Sequence, residues 1–108
     1  MTVSLAGFQR TYLKGLAHPL KPVVFVGKEG VKDSVLAAVE EALLIHELIK
    51  VRFLDFKEQR KDLAKALATD SQSELVGMIG HLAILYRAHP EPEHRRIQLP
   101  KKKPKKSE

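Results

Sequence analysis

The run Val26-Gly27-Lys28-Glu29-Gly30-Val31-Lys32 brings together the residue types best suited to chemistry, two glycines framing a lysine and a glutamate. Backbone without side chains admits a ligand closely, and glycine reaches the positive φ angles that let successive amides converge. A helix starting just beyond would add its unpaired N–H groups and the partial positive charge of its N-terminus. Lys28 at the tip supplies a mobile full charge and Lys32 follows one short step later, so the natural guest is a phosphate. A strand turning into a helix also uses glycine for the turn alone, so the spacing has a purely structural reading as well. The run is not a P-loop, because Glu29 stands where Ser or Thr would follow the lysine, and a dinucleotide fingerprint would need a third glycine.

Other chemistries find little support. His46-Glu47-Leu48-Ile49-Lys50 opens like a zinc-protease motif but ends in lysine, leaving one ligand missing. His46 is expected to pack or to cap a helix end. His18, His81, His89 and His94 show no ligand spacing, although His81 sits at a turn where it could touch a ligand. The chain has no cysteine and no Gly-x-Ser-x-Gly, which removes disulfides, thiolate metal sites and the common serine nucleophile. No enzyme activity, metal or cofactor is expected.

The elements that must position the glycine run follow from periodicity. Ser4 to Ala17 places Leu5, Phe8, Tyr12, Leu13 and Leu16 on one helical face, with Arg10 and Lys14 opposite. His18-Pro19-Leu20-Lys21-Pro22 ends that helix, since proline disfavours helix at the residue before it. Val23 to Val26 reads as a short strand buried on both faces. Val35, Ala38, Val39, Ala42, Leu43 and His46 then mark an amphipathic helix capped by Asp33 or Ser34, with Glu40, Glu41 and Glu47 facing elsewhere. Leu48 to Leu54 alternates, with Ile49, Val51 and Phe53 inward and Lys50 and Arg52 on a wetter face. Lys57 to Ala68 is a third helix, and Leu75 to Ile79 with Leu82 to Arg87 flank Gly80-His81 as a hairpin. This alternation predicts an α/β fold, a compact two-layer or three-layer α/β sandwich with a mixed four-stranded sheet, in which helical crossovers make parallel neighbours. Phe8, Tyr12, Phe25, Phe53 and Tyr86 are core candidates; Phe56 is the one aromatic with enough expected exposure to stack on a base, and even there packing is the favoured reading.

A length of 108 residues suits one domain, and a formal net charge of +6 suggests a polyanionic partner. The charge is uneven: residues 1–90 hold 12 Lys and Arg against 10 Asp and Glu, whereas residues 91–108 hold 7 against 3. The body can therefore bind an anion only through a local patch. Arg10, Lys14, Lys21, Lys28 and Lys32 all fall in the first third of the chain and would form one patch if the first helix ended beside the glycine turn. Prolines at 90, 92, 100 and 104 and the lysine run leave little to bury after Ala88, so the end is expected to be extended or disordered, with Ile97 and Leu99 free to pack on the body. No apolar run approaches a membrane span, and no signal peptide pattern is visible at the start. The reading is a soluble cytoplasmic protein.

Leu13-Lys14-Gly15-Leu16-Ala17-His18-Pro19-Leu20-Lys21-Pro22-Val23-Val24, Val26-Gly27-Lys28-Glu29-Gly30, His46-Glu47-Leu48-Ile49-Lys50-Val51, Ile79-Gly80 and Leu85-Tyr86-Arg87 closely resemble the YhbY-like CRM domain (chloroplast RNA splicing and ribosome maturation) across about residues 5 to 99. The resemblance implies a fold similar to the C-terminal domain of translation initiation factor three. It also implies RNA binding through the glycine loop and neighbouring basic surface, with stand-alone bacterial members associated with large ribosomal subunit precursors. Lys32 stands where relatives often carry a threonine suited to capping the second helix, so the cap is expected to shift to Asp33 or Ser34. The expected RNA-binding set is Gly27, Lys28, Glu29, Gly30 and Lys32 with Arg10, Lys14, His18 and Lys21. Residues 1–99 would form the domain and residues 100–108 a basic tail. The expected partner is ribosomal precursor RNA, met by a monomer away from membranes; a protein-interaction module, or a splicing or chaperone factor with incidental ribosome affinity, is the competing reading.

Overall fold

A computed structural model of the protein describes residues 5–55 and 58–101. Three helices and four strands follow one another as α1 (Gly7–Ala17), β1 (Val24–Val26), α2 (Asp33–His46), β2 (Leu48–Phe53), α3 (Arg60–Asp70), β3 (Glu74–Ile79) and β4 (Leu82–Tyr86), with a short 3-10 turn at Pro92–His94. The strands form one mixed sheet in the order β1-β2-β4-β3. The crossover through α2 makes β1 and β2 parallel neighbours, whereas β4 inserts antiparallel between β2 and β3. The crossover through α3 thus skips a position that the hairpin then fills. Gly80, at φ 57, closes that hairpin.

Period-two alternation divides the core between the two faces of the sheet. Val24, Val26, Ile49, Val51, Phe53, Ala83 and Leu85 point toward α2 and α3, where they meet Val39, Leu43, Ala64 and Leu67. Leu48, Val76, Ile84 and Tyr86 point the other way and meet Leu13 and Ala17 of α1, so the sandwich has three layers. The C-terminal segment completes this second layer: Leu5, Ile97 and Leu99 pack on the α1-side core.

The two faces are unequally covered, and this decides which residues stay open. Two helices cover one face and a single helix the other, yet a helix about 10 Å across cannot shield strands of six residues, which run to about 20 Å. The C-terminal segment shields the end near Leu48 and Tyr86. Among the described residues, nothing covers the opposite end. Phe25, between buried Val24 and Val26, is therefore 51 % exposed on the α1 side, so β1 is not buried on both faces. Tyr12 is likewise 42 % exposed, because the helix seats Leu13 and Ala17 and turns Tyr12 and Leu16 outward. Phe53 and Tyr86 are buried as expected, and Phe56 lies outside the described residues.

Candidate functional site

The glycine run forms a turn directly after β1, with the Gly30 N–H donating to Gly27 O at 3.0 Å. Gly30 has φ 77, a left-handed conformation that favours glycine. At Gly27 an added methyl group would meet nothing within 4 Å, so the turn is open to approach there. Lys28 and Glu29 are exposed at its tip. The α2 cap is Lys32, not Asp33 or Ser34, and it makes no side-chain hydrogen bond to the helix start. The first turn of α2 therefore presents N–H groups that no side chain caps. Lys32 instead pairs with Glu29 at 2.6 Å, while Lys28 makes no ion pair among the described residues. An arriving anion finds Lys28 available and competes with Glu29 for Lys32, a solvent-exposed pair worth at most about 1 kcal/mol.

The remaining cations do not gather at this turn. Lys50, expected on the wetter face, is buried at 6 % exposure, and its ammonium donates to the carbonyls of His18 at 3.1 Å and Leu20 at 2.9 Å. Since Val23 N–H also donates to Lys50 O, α1 ends at the head of β1 and the glycine turn lies past its tail. Arg10 reaches the far edge of the sheet, where its guanidinium donates to Leu75 O at 2.8 Å. Three strand spacings and about five residues along the strands separate it from Gly27, roughly 20 Å. Lys14 lies over Gly77 of β3, whose missing side chain makes room: a Cβ there would stand 2.7 Å from Lys14 Cε. His18 and Lys21 are exposed in the loop before β1. The single patch predicted around the turn thus resolves into a ring, with Lys21 before β1, Lys28 after it and Lys14 across the sheet.

What the ring encloses was not foreseen. Phe25 pairs with Arg52, Arg52 with Leu82 and Leu82 with Ile79, so four side chains on the uncovered face form one row across all four strands. Phe25 and Ile79 are each 51 % exposed, and the Arg52 side chain is exposed with no hydrogen bond or ion pair among the described residues. Leu54 continues the apolar surface toward the turn, its N–H donating to Val26 O at 2.8 Å. The signal was available: in a strand whose neighbours Val24 and Val26 face the core, Phe25 must face away.

Glu47 was also misplaced by the helical pattern. It follows α2 at φ 65 and is 1 % exposed, with its carboxylate accepting from the backbone N–H groups of His89, Arg96 and Ile97. That carboxylate pins the C-terminal segment. His46 is exposed, neither packed nor capping the helix. His81 lies 2.6 Å through Nδ1 from the guanidinium of Arg60, which also donates to Gly80 O. Among the described residues no three His, Asp or Glu side chains cluster as metal ligands. A concavity of about 950 Å³ lies away from the glycine turn, lined by Leu5, Gln9, Tyr86, Ile97 and Leu99. It is the seam under the C-terminal segment.

A model of the CRS1/YhbY (CRM) domain matches residues 5–87. The chain is 42% identical over 100 residues to a Haemophilus influenzae protein named "RNA-binding protein", covering 92% of this chain and 98% of that one. It is 41% identical over 97 residues to Bacillus subtilis "Probable RNA-binding protein YqeI", covering 89% and 99%. The solution structure of SAV1595 from Staphylococcus aureus, provisionally assigned to RNA binding, superposes with a TM-score of 0.76 at 36% identity, covering 90% of this chain and all of the other.

Proposed function

We propose, for a chain that belongs to the CRS1/YhbY (CRM) domain family, a non-catalytic role in binding RNA. The observation that carries this reading is the open glycine turn, with Gly30 in the left-handed region, space around Gly27, and at its tip Lys28 with no ion pair among the described residues. A phosphate can approach that backbone closely, meet the amides of the turn and of the α2 start, and be neutralised by Lys28. Lys32, Lys21, His18 and Lys14 would extend the contact along a strand of RNA. Arg10 would contribute least, since Leu75 O already holds its guanidinium.

The RNA we infer is ribosomal, in precursors of the large subunit, and the action is occupancy: the protein holds a segment of precursor RNA in place during assembly in the cytoplasm. Names given to relatives support RNA as the partner class, and the ribosomal target is our extension of it. A monomer with one such turn would bind one segment at a time. Placing aspartate at both Gly27 and Gly30 should abolish RNA binding and co-sedimentation with ribosomal particles, by filling the approach and adding negative charge. Circular dichroism would establish that the variant remains folded. Undiminished binding by such a folded variant would remove the glycine turn from the mechanism.

A further inference from the structure

We infer that the uncovered row Phe25-Arg52-Leu82-Ile79 is a stacking shelf for unpaired bases of single-stranded RNA, whose backbone runs on to the glycine turn. This rests on the RNA-binding reading above and adds the part of the ligand that phosphate contacts leave undescribed. Phe25 is half-exposed on a strand whose register places Arg52 beside it, about 5 Å away across the strands. An aromatic face and a guanidinium plane are both surfaces on which bases stack, and sheets that bind single strands use exposed aromatics in this manner. Gly27 follows Phe25 by two residues, roughly 7 Å along an extended chain, so base and backbone sites adjoin.

Charge selects this occupant over an apolar protein segment. The row contains no carboxylate, its central cation lacks a partner among the described residues, and Lys14, Lys21 and Lys28 stand around it. An apolar partner would have to bury Arg52 unpaired, which is costly. A nucleotide supplies both a π-face for the guanidinium and a phosphate for the surrounding lysines. Because Phe25 and Arg52 do not read base edges, the shelf should accept any base.

The test uses the full chain, a 12-nucleotide single-stranded oligo(U) and inorganic polyphosphate, which carries the charge without bases. Phe25→Ala should weaken oligo(U) binding by about 5- to 150-fold, the range found when a stacking aromatic is truncated. Polyphosphate affinity should be unchanged. The protein has no tryptophan, so Phe25→Trp introduces a lone indole whose fluorescence oligo(U) should quench and polyphosphate should not. This second variant keeps the shelf occupied by an aromatic and reports the contact even if the alanine variant folds poorly. Unquenched indole in a variant that still binds oligo(U) overturns the shelf but leaves the phosphate-binding turn standing. Loss of oligo(U) binding by Lys28→Ala together with an unaltered affinity in folded Phe25→Ala likewise overturns the shelf and spares the turn. Failure of the unmodified protein to bind oligo(U) at all overturns the shelf and the reading on which it rests.

Discussion

Glu47 ties the C-terminal segment to the end of α2. Its carboxylate is withdrawn from water and compensated by three backbone N–H groups from residues 89, 96 and 97. Glu47→Ala would leave those donors without their acceptor. The expected loss is about 3 kcal/mol of stability, given about 1 to 3 kcal/mol for each buried donor left unsatisfied and partial compensation by water. Urea denaturation measures it, and a cost below about 1 kcal/mol would mean that the C-terminal segment finds other anchors. Tyr86 is coupled to the same corner: burial, and next the Glu47 carboxylate, raise its pKa above 10.0, with Arg95 opposing. A raised tyrosine pKa favours the neutral form in the folded protein, so its stabilising effect is intact below pH 10. As pH climbs from 10 through the folded value, the unfolded chain releases the proton first and stability declines. Tyr86→Phe should lose less stability than the parent over that interval. Equal slopes above pH 10 in paired denaturation series would exclude Tyr86 as the source.

At the scale of elements, most of the fold was legible because its signals are local. The α2 stripe, the β2 alternation and the Gly80-His81 turn each state their own conformation within a few residues. The order of the sheet was less accessible, since nothing near β3 says that β4 will enter between it and β2. Burial failed where it depended on what lies above an element. Lys50 has the alternation of a wet-face residue, yet the carbonyls of His18 and Leu20 come down on it from a loop thirty residues away in sequence. Phe25 has the type of a core residue, yet α1 runs out of width before reaching it. The candidate site shared this division. The glycine turn and Lys28 were readable from spacing, whereas the distribution of Arg10, Lys14 and Lys21 around the sheet required knowing that α1 ends over Lys50.

At the scale of the whole molecule, charge placement distinguishes two kinds of contact. The body is nearly balanced, so on the proposed reading its affinity for a polyanion would come from the cations around the open end of the sheet, while residues 102–108, outside the described structure, hold four further lysines. For single strands the slope of log affinity against log salt steepens by about 0.7 for each phosphate neutralised. Lys28→Ala should therefore flatten the slope by about 0.7. Removal of residues 102–108 should flatten it by up to about 3 if every lysine there meets a phosphate. The two changes should also separate in kind. A tail contact is purely electrostatic, so its removal weakens oligo(U) and polyphosphate alike, and the advantage of oligo(U) over polyphosphate persists. Binding titrations between 50 and 200 mM salt, roughly the range over which counterion release is usually resolved, would measure both effects. An unchanged slope after removal of residues 102–108 would assign those lysines to solubility rather than to phosphate contact.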